Sequence, residues 1–137
     1  MSDHTELEEG TKLDLDFTKL QKIGHGGHEV VPVAVQHADT GEVMIVAYAT
    51  AEALAATLDR GEAVFYSTSR QELWHKGATS GDTLAIVEVR VNCEQNSLLY
   101  RVRPNGVGAC HTKGADGKAR MSCYYRRING AGELEAG

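Results

Sequence analysis

Val30-Val31-Pro32-Val33-Ala34-Val35-Gln36-His37-Ala38-Asp39-Thr40-Gly41-Glu42-Val43-Met44-Ile45-Val46-Ala47-Tyr48 is the stretch from which the fold is read. Val30 to Gln36 is β-branched and apolar, and the early Pro32 suits a strand start or a sheet edge. Asp39 and Gly41 then stand between two apolar runs, the signal of a hairpin connection. Val43 to Tyr48 is apolar throughout and predicts a second strand buried on both faces.

Toward the C-terminus the pattern changes period. Thr50 can cap a helix, Glu52 falls in its first turn, Arg60 in its last, and Gly61 stops it. Ala51, Leu54, Ala55 and Leu58 recur at helical spacing and are expected to form its packed face. So short a helix needs a sheet to lie on. Ala63 to Ser67 reads as a strand. Thr83 to Val91 and Ser97 to Val102 read as a second hairpin with Cys93 at its tip. Leu84, Ile86, Val89 and Val91 do not share one parity. Met121 to Ile128 is expected to close the sheet. Pro104 to Gly108 is a turn, and residues 113 to 120 an exposed loop. Toward the N-terminus, Gly24-His25-Gly26-Gly27-His28 reads as a loop, and Leu13 to Phe17 as a short edge strand. The acidic residues 1 to 12 and residues 129 to 137 read as flexible tails. The whole predicts an α+β fold, a β-rich mixed sheet with one or two short helices, and one domain over residues 13 to 128.

The chain has 137 residues and a formal net charge of -5 without a basic stripe, which argues against nucleic-acid binding. No apolar run approaches the roughly 20 residues of a membrane span. Met1-Ser2-Asp3-His4 carries neither a basic nor an apolar region, so a cytoplasmic protein without a secretory signal is expected.

The 3 cysteines are Cys93, Cys110 and Cys123. An odd number in a cytosolic chain favours thiol or metal chemistry over disulfides. Three thiolates with one position left open is the ligand count of a catalytic zinc. Yet no two form a CxxC pair, and free cysteine is often simple core filler, so spacing alone decides neither. His111 stands beside Cys110, where a proton-transfer group would be useful. Ser67-Thr68-Ser69-Arg70 and Leu73-Trp74-His75-Lys76-Gly77-Ala78-Thr79-Ser80-Gly81 are dense in hydroxyls, cations and glycines. They suit a phosphate, or equally a solvated loop anchored by Trp74. The H-x-E and P-C-x-x-C signature of zinc nucleobase deaminases is absent.

From about Leu15 to Arg126 the sequence resembles the phosphoribosyl-AMP cyclohydrolases of histidine biosynthesis. The resemblance is carried by Val33-Ala34-Val35-Gln36, Thr40-Gly41-Glu42-Val43, the two hydroxyl-rich blocks above, Val87-Glu88-Val89-Arg90, Ala109-Cys110-His111-Thr112 and Ser122-Cys123-Tyr124-Tyr125-Arg126. The tryptophan–lysine–glycine block together with Cys-His-Thr is highly specific. The resemblance implies an intertwined homodimer with zinc sites shared between chains and liganded by Cys93, Cys110 and Cys123. It implies hydrolysis of the N1–C6 bond of phosphoribosyl-AMP by a zinc-bound hydroxide, with His111 as proton shuttle. Ser67, Ser69, Arg70, Trp74, Lys76, Thr79 and Ser80 would grip the substrate. The family's aspartates around its first cysteine are associated with magnesium. Here they are replaced by Asn92, Glu94 and Asn96, so a magnesium requirement is in doubt. The segment between Cys110 and Cys123 is about six residues longer than the family's, which reads as a surface insertion. The alternatives are a paralogous zinc hydrolase or deaminase acting on another purine nucleotide, and a non-catalytic zinc-stabilised dimer module.

Overall fold

The computed structural model describes residues 3 to 136 except 16, 26 and 28. Its central feature is a mixed four-stranded sheet in the order β2-β1-β6-β5. Strands β1 (Val31–His37) and β2 (Val43–Ala49) form the first hairpin. Strands β5 (Leu84–Val91) and β6 (Leu98–Pro104) form the second. The two hairpins join by a parallel pairing of β1 with β6, from Val33 opposite Leu98 to His37 opposite Val102. That pairing makes the sheet mixed, as the sequence predicts.

The broken parity of β5 has a structural cause. The register shifts between Ile86 and Glu88, a β-bulge. One extra residue turns the strand over, so Ile86 and Val89 both pack against the core. The core itself is Val33 and Val35 of β1, Met44 and Ile45 of β2, and Leu98, Tyr100 and Val102 of β6, covered by the segments described next.

Helix α3 (Ala51–Arg60) is bounded as its sequence predicts. The Thr50 side chain accepts from the Ala53 N–H, and Gly61 takes φ 72° to end the helix. Its packed face matches expectation in part: Leu54 packs against the core, but the fully buried positions are others. Ala53 and Thr57 are buried, while Leu58 is 62% exposed. Small residues let the helix lie close, and the Thr57 hydroxyl supplies a polar contact that a leucine could not. Thr57 Oγ1 lies 2.9 Å from Ala53 O, Val64 O and Val64 N. These bonds hold the start of β3 (Val64–Ser67) against the helix.

β3 pairs with β4 (Glu72–His75) in a separate two-stranded sheet. The sequence reads β4 only as a hydroxyl-rich loop, because its apolar residues are few. Pairing to the buried β3 decides its conformation. Phe65 of β3 contacts Trp74 of β4 at 5.6 Å between ring centroids and Tyr100 of β6 at 5.7 Å. That aromatic row ties the small hairpin to the main sheet.

Other expectations need correction. Val43 and Val46 are exposed, because a register shift opposite Val35 and Gln36 bulges β2 and turns Met44 and Ile45 both toward the core. Residues 121 to 128 do not close that sheet. Only β7 (Arg126–Ile128) is a strand, and it pairs with β8 (Leu134–Ala136). Instead, Ser122 Oγ donates to Val43 O at 2.8 Å and Cys123 N to Met44 O at 2.8 Å, pinning that segment beside β2. The end segments read as tails carry regular structure, helix α1 (Asp3–Glu9) and β8. Residues 13 to 15 are not a strand, and position 16 of that expected strand lies outside the described residues. Helix α2 (Lys19–His25) takes in Gly24 and His25 of the expected loop, while Gly26 and His28 lie outside the described residues. That makes three short helices among the described residues. None of them is long and apolar enough to cross a membrane.

Candidate functional site

A cleft of about 720 Å³ opens between β2, the segment after β4, and the loop that carries two of the cysteines. Its apolar wall includes Ile45, Ala47, Trp74, Ala109 and Tyr124. Its polar wall includes Arg70, His75, Lys76, Thr79, Ser80, Asp82, Cys110, His111, Lys113 and Cys123.

The Lys76 side of the cleft is built by a tight turn. Gly77 takes φ +80°, and a Cβ there would lie 2.1 Å from the Asp82 carbonyl carbon. Only glycine permits that approach. Gly81 N donates back to Gly77 O at 2.8 Å, and Ser80 Oγ accepts from Asp82 N at 3.2 Å. The turn brings the Asp82 carbonyl within 3.1 Å of Lys76 Nζ. Lys76 is buried. Burial holds its pKa below the usual lysine value, opposed by Asp82 and by the two cysteines nearby. At the foot of the hairpin, His75 Nε2 lies 2.8 Å from Glu62 Oε1.

The cysteine side is a ladder. Cys110 N donates to Arg120 O at 3.0 Å and Arg120 N to Thr112 O at 3.1 Å. Gly108 allows the two segments to meet, since a Cβ there would sit 2.4 Å from Arg120 O. The residues between the cysteines fold out as a small hairpin beyond this ladder, closed by a bridge between Lys113 and Ala119. They lengthen the excursion without separating the cysteines. They are not remote, because Lys113 and Ala119 line the cleft.

Cys110 is buried, with Thr112 Oγ1 at 2.9 Å from its sulfur. Cys123 is open to solvent at the cleft, yet enough protein surrounds its sulfur for burial to be the first cause that pushes the thiol up to about 12. The neighbouring Cys110 is the next cause, and Lys76 opposes both. A Cys123 thiol held protonated beside a second sulfur is one that a bound cation would relieve. This donor set fits part of a thiolate zinc site.

The third cysteine is elsewhere. Cys93 is exposed on the turn between β5 and β6 and is not in the cleft. Among the described residues of one chain, no group of three or more His, Cys, Asp or Glu side chains could hold a metal. On the Cys93 turn, Asn92 Oδ1 accepts from Asn96 N and Ser97 N, each at 2.9 Å. Asn92 Nδ2 donates to Asn96 Oδ1 at 2.6 Å. Glu94 lies on the same turn and is exposed.

Of the residues singled out as a substrate grip, Arg70, Trp74, Lys76, Thr79 and Ser80 line the cleft. Ser67 and Ser69 do not. Their hydroxyls lie 3.4 Å apart in the β3–β4 turn, where Ser67 Oγ accepts from Arg70 Nε at 3.3 Å. Sequence reading misses Asp82, Tyr124 and Glu8 as parts of this region. Asp82 stands next to a quoted motif and Tyr124 within one, without a role read for either, and they give a weak signal. Glu8, whose carboxylate lies 2.7 Å from His111 Nε2, gives none.

Thiols, a buried ammonium, an imidazole and hydroxyls converging on one partly apolar cleft make an enzyme's site for a small polar molecule. Comparison with known proteins gives the particular family. Residues 45–125 match the family model described as phosphoribosyl-AMP cyclohydrolase. The chain is 50% identical over 120 residues to the phosphoribosyl-AMP cyclohydrolase of Haloarcula marismortui, covering 88% of each chain. It is 46% identical over 120 residues to that of Halobacterium salinarum, covering 86% of this chain and 85% of the relative. Against that of Rhodopseudomonas palustris the identity is 40% over 128 residues, covering 93% of this chain and 76% of the relative. The chain belongs to the phosphoribosyl-AMP cyclohydrolase family, a family of enzymes.

Proposed function

We propose that this protein opens the adenine ring of phosphoribosyl-AMP at the N1–C6 bond, a step of histidine biosynthesis, and that it works in the cytoplasm as a homodimer. The carrying observation is the single cleft that Lys76, Thr79 and Ser80 share with Cys110, His111 and Cys123, in a chain of this family. Ring opening consumes one water. Its oxygen ends on C6, the C6–N1 bond breaks, and N1 leaves carrying a proton. His111 moves that proton, a task suited to imidazole near neutral pH. Lys76 and Arg70 supply cationic donors for phosphate, with Thr79 and Ser80 adding hydroxyls. Trp74 and Tyr124 offer flat apolar surface to the purine.

Cys110 and Cys123 would hold zinc together with Cys93 of a second copy. The exposure of Cys93 on its turn, outside its own chain's cleft, supports that sharing. Zinc held there would lower the pKa of a water to about 7 and so supply the nucleophile at neutral pH. Magnesium, if used, would ride on the substrate phosphates, because the Asn92 and Asn96 amides already bond to one another.

The experiment is turnover of phosphoribosyl-AMP by purified, zinc-loaded protein, followed by absorbance. Turnover, with rescue of a histidine auxotroph, is the expected result. Absence of both overturns the assignment. The altered turn at 92–96 favours one second reading, a related hydrolase of another purine nucleotide, which a panel of such nucleotides would reveal.

A further inference from the structure

His111 is bonded to the opposite end of the chain. Its Nε2 lies 2.7 Å from Glu8 Oε2, across 103 residues of sequence. The His111 side chain is 71% exposed, while that of Glu8 is 33% exposed. Among the described residues, Glu8 is the ring's only hydrogen-bond partner. We infer that Glu8 is a positioning residue for His111, holding the ring by Nε2 and leaving Nδ1 as the nitrogen that exchanges protons with the substrate.

The chemistry of the pair gives the direction. A carboxylate only accepts hydrogen bonds, so the bonded Nε2 must be the donor. Fixing the proton on one ring nitrogen fixes the role of the other. An exposed imidazole without such a partner would sample several rotamers and both tautomers.

The packing of α1 separates this role from a structural one. The helix is held by its main chain. Tyr125 Oη donates to Glu8 O. Arg126 donates to Gly10 O at 2.9 Å and to Leu7 O at 3.0 Å. The Leu7 and Glu8 carbonyls belong to the last turn of the helix and Gly10 follows it, an end that lacks internal partners and favours a cation. The Arg120 guanidinium sits 3.9 Å from the centroid of the Tyr125 ring, and its Nη1 is 3.7 Å from Glu9 Oε1. None of these contacts uses the Glu8 carboxylate. The segment that carries Cys123 thus docks the helix, and the docked helix delivers a carboxylate to the neighbour of Cys110.

The inference rests on the reading of His111 as the proton carrier, so its test separates the two. Zinc-loaded wild type, Glu8→Ala, Glu8→Gln, Glu9→Ala, His111→Ala and the Glu8→Ala/His111→Ala double variant are compared on phosphoribosyl-AMP. Glu8→Ala should lower kcat by roughly 10- to 100-fold with little change in KM, Glu8→Gln by less, and Glu9→Ala should match wild type. In the His111→Ala background, Glu8→Ala should add nothing, because both changes remove one function. Histidine ¹⁵N spectra should show His111 protonated at Nε2 in the wild type and redistributed in Glu8→Ala. Bound zinc and the circular dichroism spectrum should stay unchanged. A wild-type kcat in Glu8→Ala, an undiminished Glu8 effect without His111, or an unaltered ring spectrum would each overturn the inference. A wild type inactive on phosphoribosyl-AMP would instead sink the functional reading, and the spectra would still decide whether Glu8 holds the ring.

Discussion

The Lys76 ammonium donates to the main-chain carbonyl of Asp82 at 3.1 Å, so the turn 77–82 closes on the lysine at its own base. Lys76→Ala should act twice. It leaves a carbonyl without its donor, at a cost of about 1–3 kcal/mol, readable as a lower Tm. It also removes a cation from the cleft, which should raise KM for the phosphorylated substrate by about tenfold, the equivalent of one charge-assisted bond. Lys76→Arg should not restore KM, since the planar fork does not replace a compact ammonium in a buried position. Wild-type kinetics in Lys76→Ala would reduce Lys76 to a brace for the turn.

Gly77 tests the turn without touching a polar group. With φ +80° and a Cβ position 2.1 Å from the Asp82 carbonyl carbon, Gly77→Ala cannot keep this backbone. Stability should fall by more than about 1 kcal/mol, and Lys76 should lose its acceptor with it. Denaturant melts of Gly77→Ala and Gly61→Ala make the comparison. Gly61 also has positive φ, but its Cβ would meet nothing within 4 Å, so it should cost less.

The cysteines predict a mixing experiment. Cys110→Ser should lose zinc and activity together, because a hydroxyl is a poor ligand for this ion. Cys93→Ser should do the same even though Cys93 lies outside its own chain's cleft. Mixed dimers of the two variants should regain one normal zinc site each. Full zinc content in Cys93→Ser would remove Cys93 from the ligand set.

Glu88 sets an acid dependence. Arg101 bonds its carboxylate at 2.7 Å and Arg90 lies at 3.2 Å. The Arg101 bond first, then that of Arg90, holds the carboxyl below its usual value of 4.5. A depressed carboxyl stabilises the fold above its unfolded pKa, and that contribution disappears as pH falls through the folded value. Wild type should therefore be more stable than Glu88→Gln at pH 7, with the gap closing below about pH 4.5. Denaturant melts across that range read the gap. A constant difference would mean that Glu88 acts through packing alone.

The Asn92–Asn96 pair predicts little magnesium dependence. Both side chains are spent in fixing the turn, with the Asn92 amide donating to Asn96 Oδ1 at 2.6 Å. Asn92→Asp, Glu94→Asp and Asn96→Asp together would place repelling carboxylates there and create a demand for a hard cation. A magnesium titration of zinc-reloaded protein should be nearly flat for the natural sequence and steep for the triple variant. Equal, steep curves would show that another site sets any magnesium requirement.

Local chemistry was legible wherever one residue acts on its own neighbourhood. Thr50 and Gly61 bound α3 because caps are made within one turn of chain. Asp39 and Gly41 announced the first hairpin for the same reason, and the parity break in β5 was the trace of its bulge at Ile86–Glu88. The motifs that line the cleft could be read as chemistry, since Lys76, Thr79 and Ser80 follow one another, as do Cys110 and His111.

What depends on which surfaces meet came only from the tertiary structure. Ala53 and Thr57, not Leu58, are the buried positions of the helix, because it must come close enough for the Thr57 hydroxyl to bond the strand. β4 forms because β3 offers it an edge and Phe65 offers Trp74 a partner. Cys110 and Cys123 share one wall because Gly108 lets two segments touch and the intervening residues loop outward. Glu8 reaches His111 because Tyr125 and Arg126 hold the helix that carries it. No spacing or periodicity in the chain encodes a contact across 103 residues. It exists only once burial and backbone hydrogen bonding have brought both ends of the chain to the same cleft.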